Sequence, residues 1–130
     1  MTDRPALSKG EMTVARALWK VGPAIVRDIY DEVVLSESMN FSTVQTYLRR
    51  LQAKGYANSK LKGRLRVFSA RTRAGTVIRE TVDEFVDRLF GGESMPLVRH
   101  LIEERGINKA DLDELRNLLD GYEVGENDDE

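Results

Sequence analysis

The chain of 130 residues has no cysteine, one histidine, three prolines and only 7% aromatic residues. Without cysteine there is neither a disulfide nor a thiolate metal site. The lone histidine, His100, cannot build a paired-histidine metal motif, and among Leu97, Val98, Leu101 and Ile102 it reads as an ordinary helix residue rather than a catalyst or ligand. No apolar run approaches the roughly 18 residues that span a bilayer, and residues 1–10 are polar, without the pattern of a signal peptide. Phosphate-binding glycine loops and nucleophile elbows are also missing. The expectation is a soluble, cytoplasmic protein that is not an enzyme, with no cofactor, no metal and no membrane partner.

The most informative absence is of carboxylates. Between Glu37 and Glu80 there is none, yet that stretch contains Arg49, Arg50, Lys54, Lys60, Lys62, Arg64, Arg66, Arg71, Arg73 and Arg79. The formal net charge of -2 therefore conceals a division: residues 1–75 have fourteen Lys or Arg against six acids, while the remainder is strongly acidic. Such a localised cationic excess marks a polyanion-binding surface.

In the middle of this stretch, Asn40 to Gly55 reads as one helix of about three turns, with Ser42 as the expected N-cap and Gly55 where a helix hands over to a left-handed residue. Val44, Leu48 and Leu51 fall on one side with Tyr47 at its margin; Thr43, Thr46, Arg49, Arg50 and Ala53 fall opposite. A cationic, hydroxyl-bearing outer face suits the major groove, where Arg reads guanine, Gln (here Gln45) pairs with adenine and Thr meets a thymine methyl or a phosphate. Alone, such a face is more often that of a solvated surface helix, and its neighbours reverse that balance.

Upstream, Ser8-Lys9-Gly10-Glu11 is a capping box that opens a helix carrying Met12, Ala15, Leu18 and Trp19. After Gly22-Pro23 a second helix carries Ile25, Ile29 and Val33 and ends near Leu35, completing a helix-turn-helix with the cationic helix. Downstream, Tyr56 to Leu61 and Leu65 to Ala70 read as two strands around a three-residue loop, Lys62-Gly63-Arg64. Leu65 and Val67 are expected to form the inward face of that hairpin, with charge on the other. A basic hairpin directly after a recognition-type helix is a wing, and its cations suit backbone phosphate. The DNA-binding candidates are Ser42, Thr43, Gln45, Thr46, Arg49, Arg50 and Lys54 on the helix, and Lys62, Arg64 and Arg66 on the wing.

From Thr72, an expected N-cap, a long helix runs to Phe90 with a wide apolar band and ends at Gly91-Gly92. Pro96 opens another helix, stopped by Gly106, and Asn108 caps a last one, closed by Gly121. These three helices carry more apolar surface than so small a unit buries against itself. Packing against a second copy by two-fold symmetry is the economical solution, through Val82, Phe85, Val86, Leu89, Phe90, Leu97, Leu101, Leu112, Leu115 and Leu119. Packing against the winged domain of the same chain is the competing account. The expected fold is mainly α with a small β-hairpin wing: a winged helix-turn-helix DNA-binding domain over residues 1–72, a helical dimerisation region over 73–122 and an acidic disordered tail over 123–130.

These motifs together resemble a family. S-x-x-E-x-x-V-x-x-x-L-W near the start, F-S-T-V-Q-T-Y-L-R-R-L-x-x-K-G in the third helix, K-G-R-L-R-V-F-S at the wing and R-L-F-G-G followed by L-V-x-x-L-I are similar to the penicillinase and methicillin-resistance repressors, which are related to copper-responsive repressors. The resemblance covers about residues 6 to 120. It implies a homodimeric transcriptional repressor that occupies a palindromic operator on double-stranded DNA, with Thr43, Gln45, Thr46, Arg49 and Arg50 at the DNA and Lys62 and Arg64 in the wing. Two features depart from it. Antibiotic-responsive members are cut at an Asn-Phe bond in the helix after the Gly-Gly, where this chain has His100-Leu101; copper-responsive members end in a cysteine-rich metal site, which a chain without cysteine lacks. The inducing partner is therefore unknown from sequence. The alternative function, from another class, is a winged-helix interaction module that docks an acidic protein.

Overall fold

The structure is a computed structural model that describes residues 4–122, and the expected acidic tail at 123–130 lies outside the described residues. The chain divides into two compact units, Met1–Val82 and Asp83–Glu130. The first is longer than the expected 1–72 because the opening turns of the fourth helix belong to it: Val77 is 3% exposed and joins its core.

Helix α1 (Lys9–Val21) begins at the capping box. The Glu11 N–H donates to Ser8 Oγ at 3.2 Å, and the Ser8 N–H donates to Glu11 Oε1 at 2.9 Å, so two otherwise orphaned donors are satisfied. After Gly22 and a cis Pro23 the chain forms a two-residue strand, β1 (Ala24–Ile25), and then α2 (Val26–Val33). Helix α3 (Phe41–Ala53) follows, then β2 (Ala57–Lys62) and β3 (Leu65–Ala70). The antiparallel sheet has the order β1-β3-β2, so the hairpin gains a third strand that two residues are too few to announce. Ala24 pairs with Phe68 and Ile25 with Val67.

Two details of the hairpin differ from expectation. Lys62 pairs directly with Leu65, which leaves a two-residue loop, Gly63-Arg64, rather than three. Gly63 has φ +64° while no residue other than glycine has positive φ among those described, the pattern of a type II′ turn, which fits the twist of the strands. The faces are also exchanged. Ser59 opposite Phe68 and Leu61 opposite Arg66 share one face; Lys60 opposite Val67 and Lys62 opposite Leu65 share the other. Phe68, 3% exposed, anchors the inward face, so that face carries Arg66, whereas Leu65 lies exposed beside the lysines. The stronger apolar anchor sets which way a short strand turns.

One core fills the first unit. Val14 and Leu18 of α1, Ile29 and Val33 of α2, and Val44, Leu48 and Leu51 of α3 are each no more than 2% exposed, and Phe68 and Val77 close the remaining sides. The 3.6-residue spacing of these side chains is what makes the helices pack.

Helix α4 (Ala74–Phe90) starts two residues beyond the expected cap. The Trp19 indole N–H donates to the Thr72 carbonyl at 3.0 Å, which fixes Thr72 outside the helix; its own hydroxyl is buried and makes no hydrogen bond. Within the second unit, α5 (Met95–Glu103) has Pro96 in its first turn, and α6 (Lys109–Asp120) is capped by Asn108, whose Oδ1 accepts from the Asp111 N–H at 2.8 Å. Among the described residues of this unit, Val86 is the single buried hydrophobic side chain.

Candidate nucleic-acid interface

The cationic helix α3 is held by its buried row and by its first turn. Phe41 lies edge-on to Tyr30 of α2 with ring centroids 5.4 Å apart, and the Arg27 guanidinium lies 5.6 Å from the Tyr30 centroid and 5.0 Å from that of Phe41. This cluster starts the helix at Phe41, so the N-cap position falls to Asn40, without a side-chain cap bond, and Ser42 is an exposed residue of the first turn rather than the expected cap.

With Val44, Leu48 and Leu51 turned inward, Arg49 and Arg50 are exposed and Thr43, Gln45 and Thr46 half-buried. The Thr46 hydroxyl donates to the Ser42 carbonyl at 3.1 Å. Arg50 is steered by Tyr47, whose ring centroid lies 5.6 Å from the guanidinium carbon. Tyr47 in turn rests on Gly10 of α1: a Cβ there would come within 2.6 Å of the ring. A missing side chain on the first helix thereby positions a cation on the third.

The wing is linked to α3 by side chains. Arg66 Nη1 donates to Ser59 Oγ at 2.9 Å, and the Ser59 hydroxyl donates to Gln52 Oε1, also at 2.9 Å. Gln52 and Ser59 escaped the sequence reading because their signal is a pairing across seven residues, not a periodicity. At the tip Lys62 and Arg64 are exposed, and with Lys60, Arg49 and Arg50 they have no carboxylate partner among the described residues. Charges left without partners in this way are available to a polyanion.

Lys54, one of the DNA-binding candidates, is engaged within the chain. Its ammonium lies 2.6 Å from Glu11 Oε1 and donates to the Ala6 carbonyl at 2.9 Å, at the C-terminal end of α3. Glu11 is 2% exposed. Burial raises its pKa, but the Lys54 hydrogen bond, the Ser8 N–H, the charge of Lys54 and the Ser8 hydroxyl together outweigh this and hold it below the ordinary glutamate value. Nearby, the Tyr56 hydroxyl donates to the Pro5 carbonyl at 2.6 Å and Arg4 pairs with Glu80 at 3.1 Å. Lys54 thus ties α3 to α1, and its partner, 43 positions away, leaves no local trace in the sequence.

The residues expected at a dimer interface divide by exposure. Val82, Phe85, Leu89, Leu101 and Leu119 are exposed, Phe90, Leu97, Leu112 and Leu115 are half-buried, and Val86 is buried within the chain. Phe85 and Phe90 meet edge to face with centroids 6.0 Å apart. No helix among the described residues is long and apolar enough to cross a membrane.

Known proteins are similar to this chain along most of its length. The chain is 24% identical over 122 residues to the penicillinase repressor of Bacillus licheniformis, spanning 94% of this chain and 95% of that one. It is 22% identical over 113 residues to the methicillin resistance regulatory protein MecI of Staphylococcus aureus (strain N315), spanning 87% and 92%. Among solved structures, the solution structure of the monomeric form of Bacillus licheniformis BlaI in complex with the blaP half-operator is 27% identical, with a TM-score of 0.49, over 58% of this chain and 92% of that one. The family model described as penicillinase repressor matches residues 7–121. With that match running from the residue before the capping box to the end of α6, the chain belongs to the penicillinase repressor family, a family of regulators and not of enzymes.

Proposed function

We propose that the chain is a transcriptional repressor that binds double-stranded operator DNA as a homodimer and represses by covering the promoter. The carrying observation is the juxtaposition of an inward row, Val44, Leu48 and Leu51, with outward Arg49 and Arg50, beside a wing whose Lys62 and Arg64 have no carboxylate partner among the described residues. In this reading α3 lies in the major groove with Thr43, Gln45, Thr46, Arg49 and Arg50 toward the bases, while Lys62, Arg64 and Arg66 meet phosphate beside it. Ser42, exposed in the first turn, adds a phosphate contact. Lys54 contributes by holding α3 rather than by touching DNA.

The homodimer is supported by the exposed apolar residues of the second unit, among them Leu89 and Leu119, each 61% exposed. Rows of this kind are covered by a like row in a two-fold pair. Two recognition helices then require a palindromic site with half-sites about 10 base pairs apart or a small multiple of that. The protein acts in the compartment that holds the DNA, the cytoplasm.

Selection of bound sequences from random duplexes, followed by titration with salt, tests this directly. A single palindrome with a steep fall in affinity as salt rises is the expected result. A flat, weak response without sequence preference would remove the repressor reading and favour a winged module that docks an acidic protein.

A further inference from the structure

A cleft of about 630 Å³ opens between α1, α2 and the first turns of α4, away from the residues assigned to DNA. Its apolar walls include Met12, Trp19, Val33, Ile78 and Val82, with the hydroxyls of Thr13, Ser36 and Thr81 among them. Ile78 is 53% exposed and Val82 45%, so apolar surface lies open to water beside the indole. The volume falls in the range of small-molecule sites, which run from about 300 to 1,000 Å³ and have apolar linings with few polar groups.

The charges at the rim are unequal. Lys20 and Glu32 neutralise each other at 3.0 Å, whereas Arg16, exposed on α1, has no acidic partner among the described residues. One uncompensated cation over an apolar, aromatic-walled cleft matches a flat apolar body carrying one negative charge. We propose that this cleft binds an amphipathic organic anion, an aromatic or alicyclic body with a single carboxylate or sulfonate, with the body against Trp19 and Ile78 and the acid group on Arg16.

The cleft is built from α1 and α2, the helices against which α3 packs. The Trp19 indole also hydrogen-bonds the Thr72 carbonyl just before α4, so a ligand on this wall presses on the start of that helix. A ligand that favours one arrangement of these helices shifts the population of α3 presentations. Occupancy of the cleft does not depend on the repressor reading; its effect on DNA affinity rests on that reading.

Trp19 is the one tryptophan of the chain, so it reports on its own cleft. Titration with 1-anilinonaphthalene-8-sulfonate should give saturable energy transfer from Trp19 at one probe per chain. Arg16→Gln should weaken binding about fivefold, Arg16→Lys should restore it to within about twofold, and Ile78→Asp should abolish transfer, with circular dichroism showing that each variant folds. Transfer unchanged in both Arg16→Gln and Ile78→Asp overturns the site. Transfer that appears only when Leu89→Asp separates the chains also overturns it, because a second copy then covers the cleft. For regulation, saturating probe should change affinity for the selected duplex at least about threefold; an unchanged affinity in a chain that binds both probe and duplex overturns the regulatory role. A chain that binds the probe and no duplex instead counts against the repressor reading.

Discussion

The two units of this chain spend their apolar residues in opposite ways. In the first, Ile29, Val44, Leu48 and Leu51 are wholly enclosed; in the second, Leu89, Met95, Leu118 and Leu119 are each more than 60% exposed. The helices of both are legible from their spacing, so periodicity alone does not reveal whether a stripe is satisfied within the chain. A closed core implies that the first unit folds on its own contacts. An open one is what the proposed homodimer would cover.

The sharpest way to break this contrast is a pair of truncations. Leu48→Ala should cost about 2 to 5 kcal/mol in urea unfolding, from lost burial plus the cavity left behind. Leu119→Ala should leave the stability of the separated chain within about 0.5 kcal/mol yet raise the dimer dissociation constant in sedimentation. Equal costs in unfolding would mean that the second unit already holds its own core.

Next in size is the tie between α1 and α3. Lys54→Met leaves the enclosed Glu11 carboxylate without its counter-charge, and should cost about 2 to 3 kcal/mol at neutral pH. The pH dependence has a definite sign. Glu11 has a lower pKa folded than unfolded, so its contribution is present above the unfolded value of about 4.3 and is lost as pH falls through the folded one. Thermal unfolding of the parent chain should therefore weaken below about pH 4.3, and Glu11→Gln should flatten that slope. An unchanged slope would show that Glu11 is not the responsible group.

On DNA, Arg49→Ala or Arg50→Ala should each lose about 1 to 3 kcal/mol and relax preference at one base, measured by fluorescence anisotropy with the selected duplex. Gly10→Ala should weaken the same binding by about 1 kcal/mol without touching DNA, since Tyr47 must move and Arg50 with it. Unchanged affinity would show that Arg50 does not need its aromatic support. Smallest in effect, Lys62→Ala or Arg64→Ala should weaken all duplexes alike and reduce the salt slope by about 1. A change in sequence preference would move that residue from the backbone to the bases.

What the sequence disclosed depended on how far apart the interacting groups lie along the chain. The Ser8 and Glu11 capping box, the Asn108 cap and the inward row of α3 involve neighbours within a turn or two, and each is found where spacing put it. Ser42 and Thr72 have the residue type of a cap but do not occupy the cap position, because distant groups decide both starts: Phe41 against Tyr30 in one case, the Trp19 indole on a carbonyl in the other. Strand β1 exists only through its pairing with β3, and Lys54 acquires its partner from a helix 43 positions away. For the site, residue type and exposure were legible. The supports, Gly10, Gln52 and Ser59, were not.

The Arg66–Ser59–Gln52 chain of hydrogen bonds braces the hairpin against α3, as the arm of a caliper is braced. A finger free to swing would adapt to whatever backbone lay beneath it. On the proposed docking, a hairpin held at one distance from α3 would favour duplexes whose groove width suits that spacing, so shape would be weighed alongside the letters.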